Sequence, residues 1–335
     1  MDLRKTLIVT SIAVLSICLL AAPAAAQKKV FIVQSYHAGY DWTDGVNEAI
    51  IKVLDHAGIQ HQVYYMDTKR KSSREWKEES GRAAEKEMIS YNPDVVIAVD
   101  DDPQEFLVKK YAGHGKFQIV FCGVNGELEK YGYPAKNITG ILERTYADQS
   151  VKMLSQILPG IKKAAFIADD SSTASLVMGQ IQRKAKTYPL PIELAQPEQP
   201  GTFEQWKNVI RKYDQDSSVG AFLIPLYHTV KKADGMSMNP SDVLGWTVKN
   251  TRKPIVGLWP FAPKDGALCA VVVDPVEHGT VAGQMAVAIA GGKKAGDLPV
   301  LENKKGYVII NGKTAQDLGI QVPYEIISSA NELIQ

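Results

Sequence analysis

The stretch Val33–Gly45, VQSYHAGYDWTDG, gathers Ser35, His37, Thr43, Asp41 and Asp44 with three aromatic residues, Tyr36, Tyr40 and Trp42. A hydroxyl two residues from an imidazole is raw material for nucleophilic acyl transfer. That chemistry also needs an acid to orient the histidine and donors for the oxyanion. No acidic partner in that role is apparent. The chain also lacks the G-x-S-x-G elbow, the G-x-G-x-x-G and G-x-x-x-x-G-K-[ST] phosphate loops, H-E-x-x-H and paired CxxC. No catalytic residue, cofactor or metal ligand is therefore expected. The run Asp100–Asp102 has the chemistry to hold a cation, but no second carboxylate cluster stands ready to complete an oxygen shell. Its simpler reading is a cap for a helix starting near Pro103. His37 and His228 are isolated, without metal-ligand spacing.

These polar residues recur at one place in the pattern: directly after short apolar runs. Ser35, Tyr36 and His37 follow KVFIV, Asp67 and Thr68 follow QVYYM, and Asp100–Asp102 follow VVIAV. Asn125 follows IVFCGV. In the second half Asp169–Thr173 follow AAFIA, Tyr227–Thr229 follow AFLIP, and Trp259 and Phe261 follow PIVGL. In open α/β sheets ligands sit at the carboxyl ends of the strands, so the pattern describes two polar rims with aromatic walls. Asp169–Thr173 reads equally as an N-cap turn and as a set of N–H groups and hydroxyls for an anion at a helix start. Trp42 reads either as packing at a helix entry or as an aromatic wall.

Apolar runs alternate with helical periodicity throughout, the mark of parallel sheets covered on both faces. A helix is expected from Asp44 to His56, opened by Thr43 or Asp44. The order strand, polar turn, helix, strand begins at Lys28 and again at Lys162, giving two similar α/β lobes. The helix PVEHGTVAGQMAVAIAGG carries Gly279, Ala282, Gly283 and Ala286, small enough for close packing. A last strand and short helix follow it in KGYVIINGKTAQDLGI. Elements beyond the second lobe imply that the chain crosses back, leaving a hinge and a cleft.

The N-terminus reads as a secretory signal, residues 1–26: Arg4 and Lys5, an apolar run, then Ala24–Ala26 before Gln27. Cleavage there removes two basic residues and one acidic residue and leaves the remainder neutral. No later stretch reaches the ~18–20 apolar residues that span a bilayer, so a soluble, periplasmic or otherwise extracytoplasmic chain is expected. Neutrality without basic runs argues against nucleic acid as a partner. Cys18 leaves with the signal, while Cys122 and Cys269 lie in apolar strands as inert core thiols.

Taken in order, SYHAGYDWTDG (35–45), YMDTKR (65–70), PDVVIAVDDDPQEFL (93–107), IVFCGVN (119–125) and NITGILE (137–143) form a recognisable series. It continues with ILPGIKKAAFIADDSSTAS (157–175), GAFLIPLYHTV (220–230), GALCAVVVDPVEHGTVAGQMAVAIAGG (266–292) and VIINGKTAQDLGIQVP (308–323). The series resembles the ABC-transporter substrate-binding proteins related to tryptophan/tyrosine-binding lipoproteins, over about residues 28–335. SYHAGYDWTDG, MDTKR and VFCGVN are most similar to a subgroup that also occurs as extracytoplasmic sensor domains of histidine kinases, and the first loop differs from that of amino-acid-binding members. The resemblance implies a type I periplasmic-binding-protein fold, with lobe 1 at 28–142 plus 274–303 and lobe 2 at 143–273 plus 304–335. It implies a small-molecule ligand gripped by lobe closure and passed to an ABC permease by a monomer. Carried over by position, the ligand-binding residues are Ser35, Tyr36, His37, Trp42, Thr43, Asp101, Asn125, Ser171, Ser172, Thr173, Tyr227, Thr229 and Trp259. An amino acid or related small carboxylate is the expected ligand. A sensory module acting on a membrane receptor and an exported hydrolase using Ser35 and His37 are the rivals.

Overall fold

The computed structural model describes residues 27–304 and 306–335. The signal segment 1–26 lies outside the described residues. Runs of β-branched and aromatic residues form β1 (Lys29–Gln34), β2 (Gln60–Tyr65), β3 (Val95–Val99), β4 (Gln118–Val124) and β5 (Ile138–Leu142). Between them lie α1 (Asp41–His56), α2 (Arg74–Tyr91) and α3 (Asp101–Pro103), the last continued by a π turn, Gln104–Val108, and a 3-10 turn, Lys109–Tyr111. With β11 (Leu301–Glu302) they make a six-stranded parallel sheet ordered β11-β5-β4-β3-β1-β2. The period of two along a strand sends Val30 and Ile32 into one hydrophobic cluster with Val46 and Ile50. Phe31 and Val33 go into another with Ala84, Met88 and Phe121. The sheet is thus buried on both faces, as its unbroken apolar strands require.

The second sheet is built from β6 (Lys163–Phe166), β7 (Glu193–Leu194), β8 (Ala221–Leu223), β9 (Ile255–Gly257), β10 (Cys269–Val273), β12 (Gly306–Asn311) and β13 (Glu332–Ile334), ordered β13-β12-β10-β9-β8-β6-β7. Its helices are α4 (Ala147–Ile157), α5 (Ser172–Thr187), α6 (Phe203–Gln215), α7 (Pro240–Lys249), α8 (Phe261–Lys264), α10 (Gly312–Leu318) and α11 (Tyr324–Ser329). Local sequence explains their starts. Ser171 accepts from Ala174 N, Thr202 and Gln205 form a capping box, and Asn239 precedes Pro240 at the first helical position.

α9 (Pro275–Ala290) follows β10 but packs on α1, beneath the first sheet. Gly279 makes this possible: a Cβ there would stand 2.2 Å from the Val46 carbonyl oxygen, and one at Gly283 would stand 2.9 Å from Val53 Cβ. The chain therefore passes between the sheets three times, after β5, after β10 and after β11. Asn303 ties the first crossing to the third, accepting from Arg144 N at 2.6 Å and donating to Arg144 O at 3.1 Å.

Three features depart from the expectations. α1 begins at Asp41, not Asp44. Asp44 lies inside the first turn, and both its carboxylate oxygens accept from Gly39 N at 3.0 Å, fixing the loop ahead of the helix. β12 pairs antiparallel with β10, because the chain re-enters the second sheet directly from β11 without a covering helix to reverse it. It is not the last strand, since α11 and β13 follow it.

Candidate functional site

The carboxyl ends of both sheets face one another. From the first come Tyr36 and Tyr40 after β1, Lys69 after β2, Asp100–Asp102 after β3, Asn125 after β4 and Glu143 after β5. From the second come Asp169–Thr173 after β6, Tyr227–Thr229 after β8 and Trp259–Phe261 around α8.

Buried carboxylates form the floor, each held differently. Asp100, directly after β3, takes φ +66 with ψ −172, a backbone conformation that residues other than glycine rarely adopt. Its Oδ1 accepts from Trp42 Nε1 at 2.9 Å. Asp101 accepts from Asn125 N, Gly126 N and Tyr131 OH at 3.1, 2.8 and 2.7 Å. Glu143 accepts from Asn125 Nδ2 at 3.0 Å and, across the cleft, from Trp259 Nε1 at 3.1 Å. Burial pushes the Glu143 carboxyl up to about 8, with Asp101 adding to the effect and the Asn125 and Trp259 donors opposing it. Burial, then the neighbouring Glu143, holds Asp100 well above the ordinary carboxylate range. Capping of α3, the simple expectation for this run, is not what these side chains do: Asp100 makes no side-chain cap, and Asp102 pairs with Lys77 at 3.0 Å.

Above the floor lies an aromatic cluster. Tyr36 and Tyr40 meet edge to face at 5.4 Å, Tyr40 meets His228 at 5.3 Å, and His228 meets Phe261 at 4.3 Å. Trp259 stacks on Phe261 at 6.2 Å. The Lys69 ammonium sits over the Tyr36 ring, 4.5 Å from its centroid. Several buried polar atoms here lack a hydrogen-bond partner among the described residues: Asp100 Oδ2, Asn125 Oδ1, Thr229 Oγ1 and His228 Nδ1. Burial drives the His228 imidazole well below its ordinary pKa, helped by the nearby Lys69 charge, so it is neutral at physiological pH.

Two cavities flank the cluster. One of about 450 Å³ is lined by Tyr36, Lys69, Lys77, Asp102, Ser171–Thr173 and Thr229; the other, about 980 Å³, by His37, Tyr40, Lys69, Arg70, His228, Met238 and Phe261. Side chains close the lobes on one another around them. Tyr36 OH meets Thr173 Oγ1 at 3.1 Å, Lys77 Nζ donates to Ser172 Oγ at 3.0 Å, Gln180 Nε2 donates to Asn125 O, and Arg183 pairs with Glu127. This is the geometry of a clamp, with polar and aromatic groups converging between two bodies joined by three strands of chain.

The family model for ABC transporter substrate binding proteins matches residues 35–334. The chain belongs to this family. Among solved structures it is similar to the ABC domain in complex with L-Trp from Streptococcus pneumonia, with TM-score 0.73 and 18% identity over 92% of this chain and 100% of that one. A conserved domain protein from Vibrio cholerae gives TM-score 0.72 and 19% identity over 92% and 99%. The ligand-free, open substrate-binding protein with adhesive properties from Clostridium difficile gives 0.66 and 14% over 92% and 99%. These likenesses establish the type I periplasmic-binding-protein fold. No curated protein matches the sequence.

In this substrate-binding protein the residues singled out from sequence divide into three groups. Tyr36, Asp101, Ser171, Ser172, Thr173 and Thr229 line the smaller cavity, and His37 lines the larger. Asn125 bridges Asp101 and Glu143 at the floor. The others stand behind the surface. Ser35 is fully buried, its hydroxyl donated to Val99 O at 3.0 Å, because the turn after β1 folds back over β3. No hydrogen bond joins it to His37, whose Nδ1 stands 3.6 Å from Asp67; the Ser35–His37 nucleophile of the hydrolase rival is not assembled. Thr43 is buried within α1. Trp42 and Trp259 line a separate recess of about 370 Å³, each indole N–H spent on a buried carboxylate. Tyr227 donates to Asp265 at 2.7 Å and backs His228. Their part is to hold the floor and walls in place. Sequence reasoning left out Lys69, Lys77 and Glu143, and it named the stretches holding Tyr40, Asp100 and His228 without assigning those residues to the ligand. Lys69 and Glu143 stand just beyond the ends of β2 and β5, a position that was the available signal, whereas Lys77 lies in the first turn of α2, where nothing local marks it.

Proposed function

We propose that this substrate-binding protein works outside the cytoplasm, its signal removed after Ala26, and delivers a small organic ligand to an ABC importer as a monomer. Lobe 1 comprises residues 28–142 plus 274–303 and lobe 2 residues 143–273 plus 304–335, and the ligand is taken between them. The ligand is an amino acid or related small carboxylate. One observation supports this reading: polar atoms buried without a partner among the described residues stand at the strand ends of both sheets, Asp100 Oδ2 and Asn125 Oδ1 on the first and Thr229 Oγ1 on the second. A buried donor or acceptor left unmatched costs about 1–3 kcal/mol, so a ligand that completes these bonds favours the closed arrangement over the open one. Tyr36, His37, Asp101, Asn125, Ser171–Thr173 and Thr229 contact or frame the ligand, and Trp42, Tyr227 and Trp259 brace those that do.

A thermal-shift screen of amino acids, purines and small carboxylates tests the reading. A ligand at one hundred times its Kd adds about 2.7 kcal/mol to stability, a rise of several degrees in Tm, and it is recovered chemically unchanged. Silence across the screen refutes capture of such a ligand, and conversion of the compound refutes pure binding.

A further inference from the structure

Lys69 is an unusual charge. It is only 4% exposed. Its ammonium lies over the Tyr36 ring and, at 5.9 Å, the Tyr40 ring, yet it makes no hydrogen bond or ion pair among the described residues. Asp169, Asp100 and Asp102 act on it through space only. A buried charge held without a direct counter-ion is costly, and most chains avoid it by pairing. The neighbouring Lys77 does so, with Asp102 at 3.0 Å. Lys69 also stands where the two cavities meet, lining both. On the wall of the smaller cavity beside it is Thr229 Oγ1, 1% exposed and likewise unpartnered.

We propose that Lys69 is the specificity-determining residue of the cleft: with Thr229 Oγ1 it holds a carboxylate of the ligand, while Asp100 Oδ2 and Asn125 Oδ1 accept from an ammonium or amine N–H elsewhere on it. The inference rests on the cleft reading above and narrows it to amphoteric ligands. Lys69 thereby excludes ligands whose polar groups are uncharged, since these leave its ammonium desolvated and unpaired.

The experiment compares wild type, Lys69→Met and Thr229→Val by thermal shift and calorimetric titration against four compound classes: free amino acids, monocarboxylates without an amine, amines without a carboxylate, and uncharged polyols. The expected result is a wild-type response confined to carboxylate-bearing compounds and strongest for the amino acids. Lys69→Met then binds the best of these about 10- to 100-fold more weakly, the loss of one charge-assisted hydrogen bond. Thr229→Val binds it about 3- to 10-fold more weakly. Without any added compound Lys69→Met melts at or above the wild-type temperature, since it removes an unpaired buried charge. Wild-type affinity in Lys69→Met overturns the assignment, as does a Tm for that variant well below wild type, which marks the lysine as a structural ion partner. A wild-type response confined to amines or polyols overturns it too and leaves the cleft reading standing. Silence from every class overturns both.

Discussion

Glu143 makes stability depend on pH. It stands on the first crossing between the sheets and joins Asn125, after a strand of the first, to Trp259, after a strand of the second. Its carboxyl is raised from an ordinary 4.5 to about 8. In the unfolded chain it ionises near the ordinary value, so below about pH 4.5 both states hold the proton and the contribution to stability is complete. As pH rises towards 8 the unfolded chain releases its proton first and stability falls; above 8 the loss is constant. At about 1.4 kcal/mol per tenfold change in proton activity, the full loss is roughly 5 kcal/mol, and about half of it accrues between pH 5 and 7. His228 and His278, both lowered by burial, slope the other way in the acid range. The informative quantity is therefore the difference between wild type and Glu143→Gln, in which the histidines cancel. Gln offers one acceptor where Glu has two, so the variant also loses about 1 kcal/mol at every pH. Denaturant unfolding at pH 5, 6, 7, 8 and 9, followed by tryptophan fluorescence, measures the difference. The variant is expected to match wild type to within about 0.5 kcal/mol at pH 5 and to be about 3 kcal/mol more stable at pH 8. Parallel curves would refute the argument that burial sets this carboxyl.

Lys77→Ala strips the buried Asp102 of its counter-ion and the cleft of a cross-lobe bond to Ser172; a loss of about 3–5 kcal/mol is expected in denaturant unfolding. Lys77→Ala with Asp102→Ala recovers part of it, since no uncompensated charge remains. Gly279→Val drives a branched side chain into the Val46 carbonyl, where even a Cβ has no room. It is expected to lower stability by about 3 kcal/mol or more by forcing α9 off α1, read as a drop in Tm.

Most of the architecture is legible in the sequence because the central strands of both sheets are short runs rich in Val, Ile, Phe and Ala, and because turns rich in Asp, Ser and Thr mark where many of them end. The small residues of α9 likewise announce a close helix contact, and Gly279 lies against α1. Orientation within the site is a different matter. Trp42 reads as packing or as an aromatic wall and Trp259 as a wall, but each indole N–H is claimed by a carboxylate at the end of another strand, a strand of the other sheet in the case of Trp259. In the turn DTKR, read as part of the polar rim through Asp67 and Thr68, nothing local distinguishes Lys69 from Arg70. The first is buried under the facing lobe; the second is exposed and paired with Asp67 at 2.7 Å. Asp100–Asp102 looks like one cap, yet with a positive φ at Asp100 the three adjacent carboxylates go to three different partners.

The central claim is that a small ligand is held between the lobes by Asp100, Asn125, Lys69 and Thr229. A crystal structure of the protein grown with the strongest compound of the thermal-shift screen tests it most directly. The account predicts ligand density within hydrogen-bond distance of Asp100 Oδ2, Asn125 Oδ1 and Thr229 Oγ1, between closed lobes. Density on an outer face, or in the recess beside Trp42 and Trp259 with the interlobe atoms still unpartnered, would contradict it.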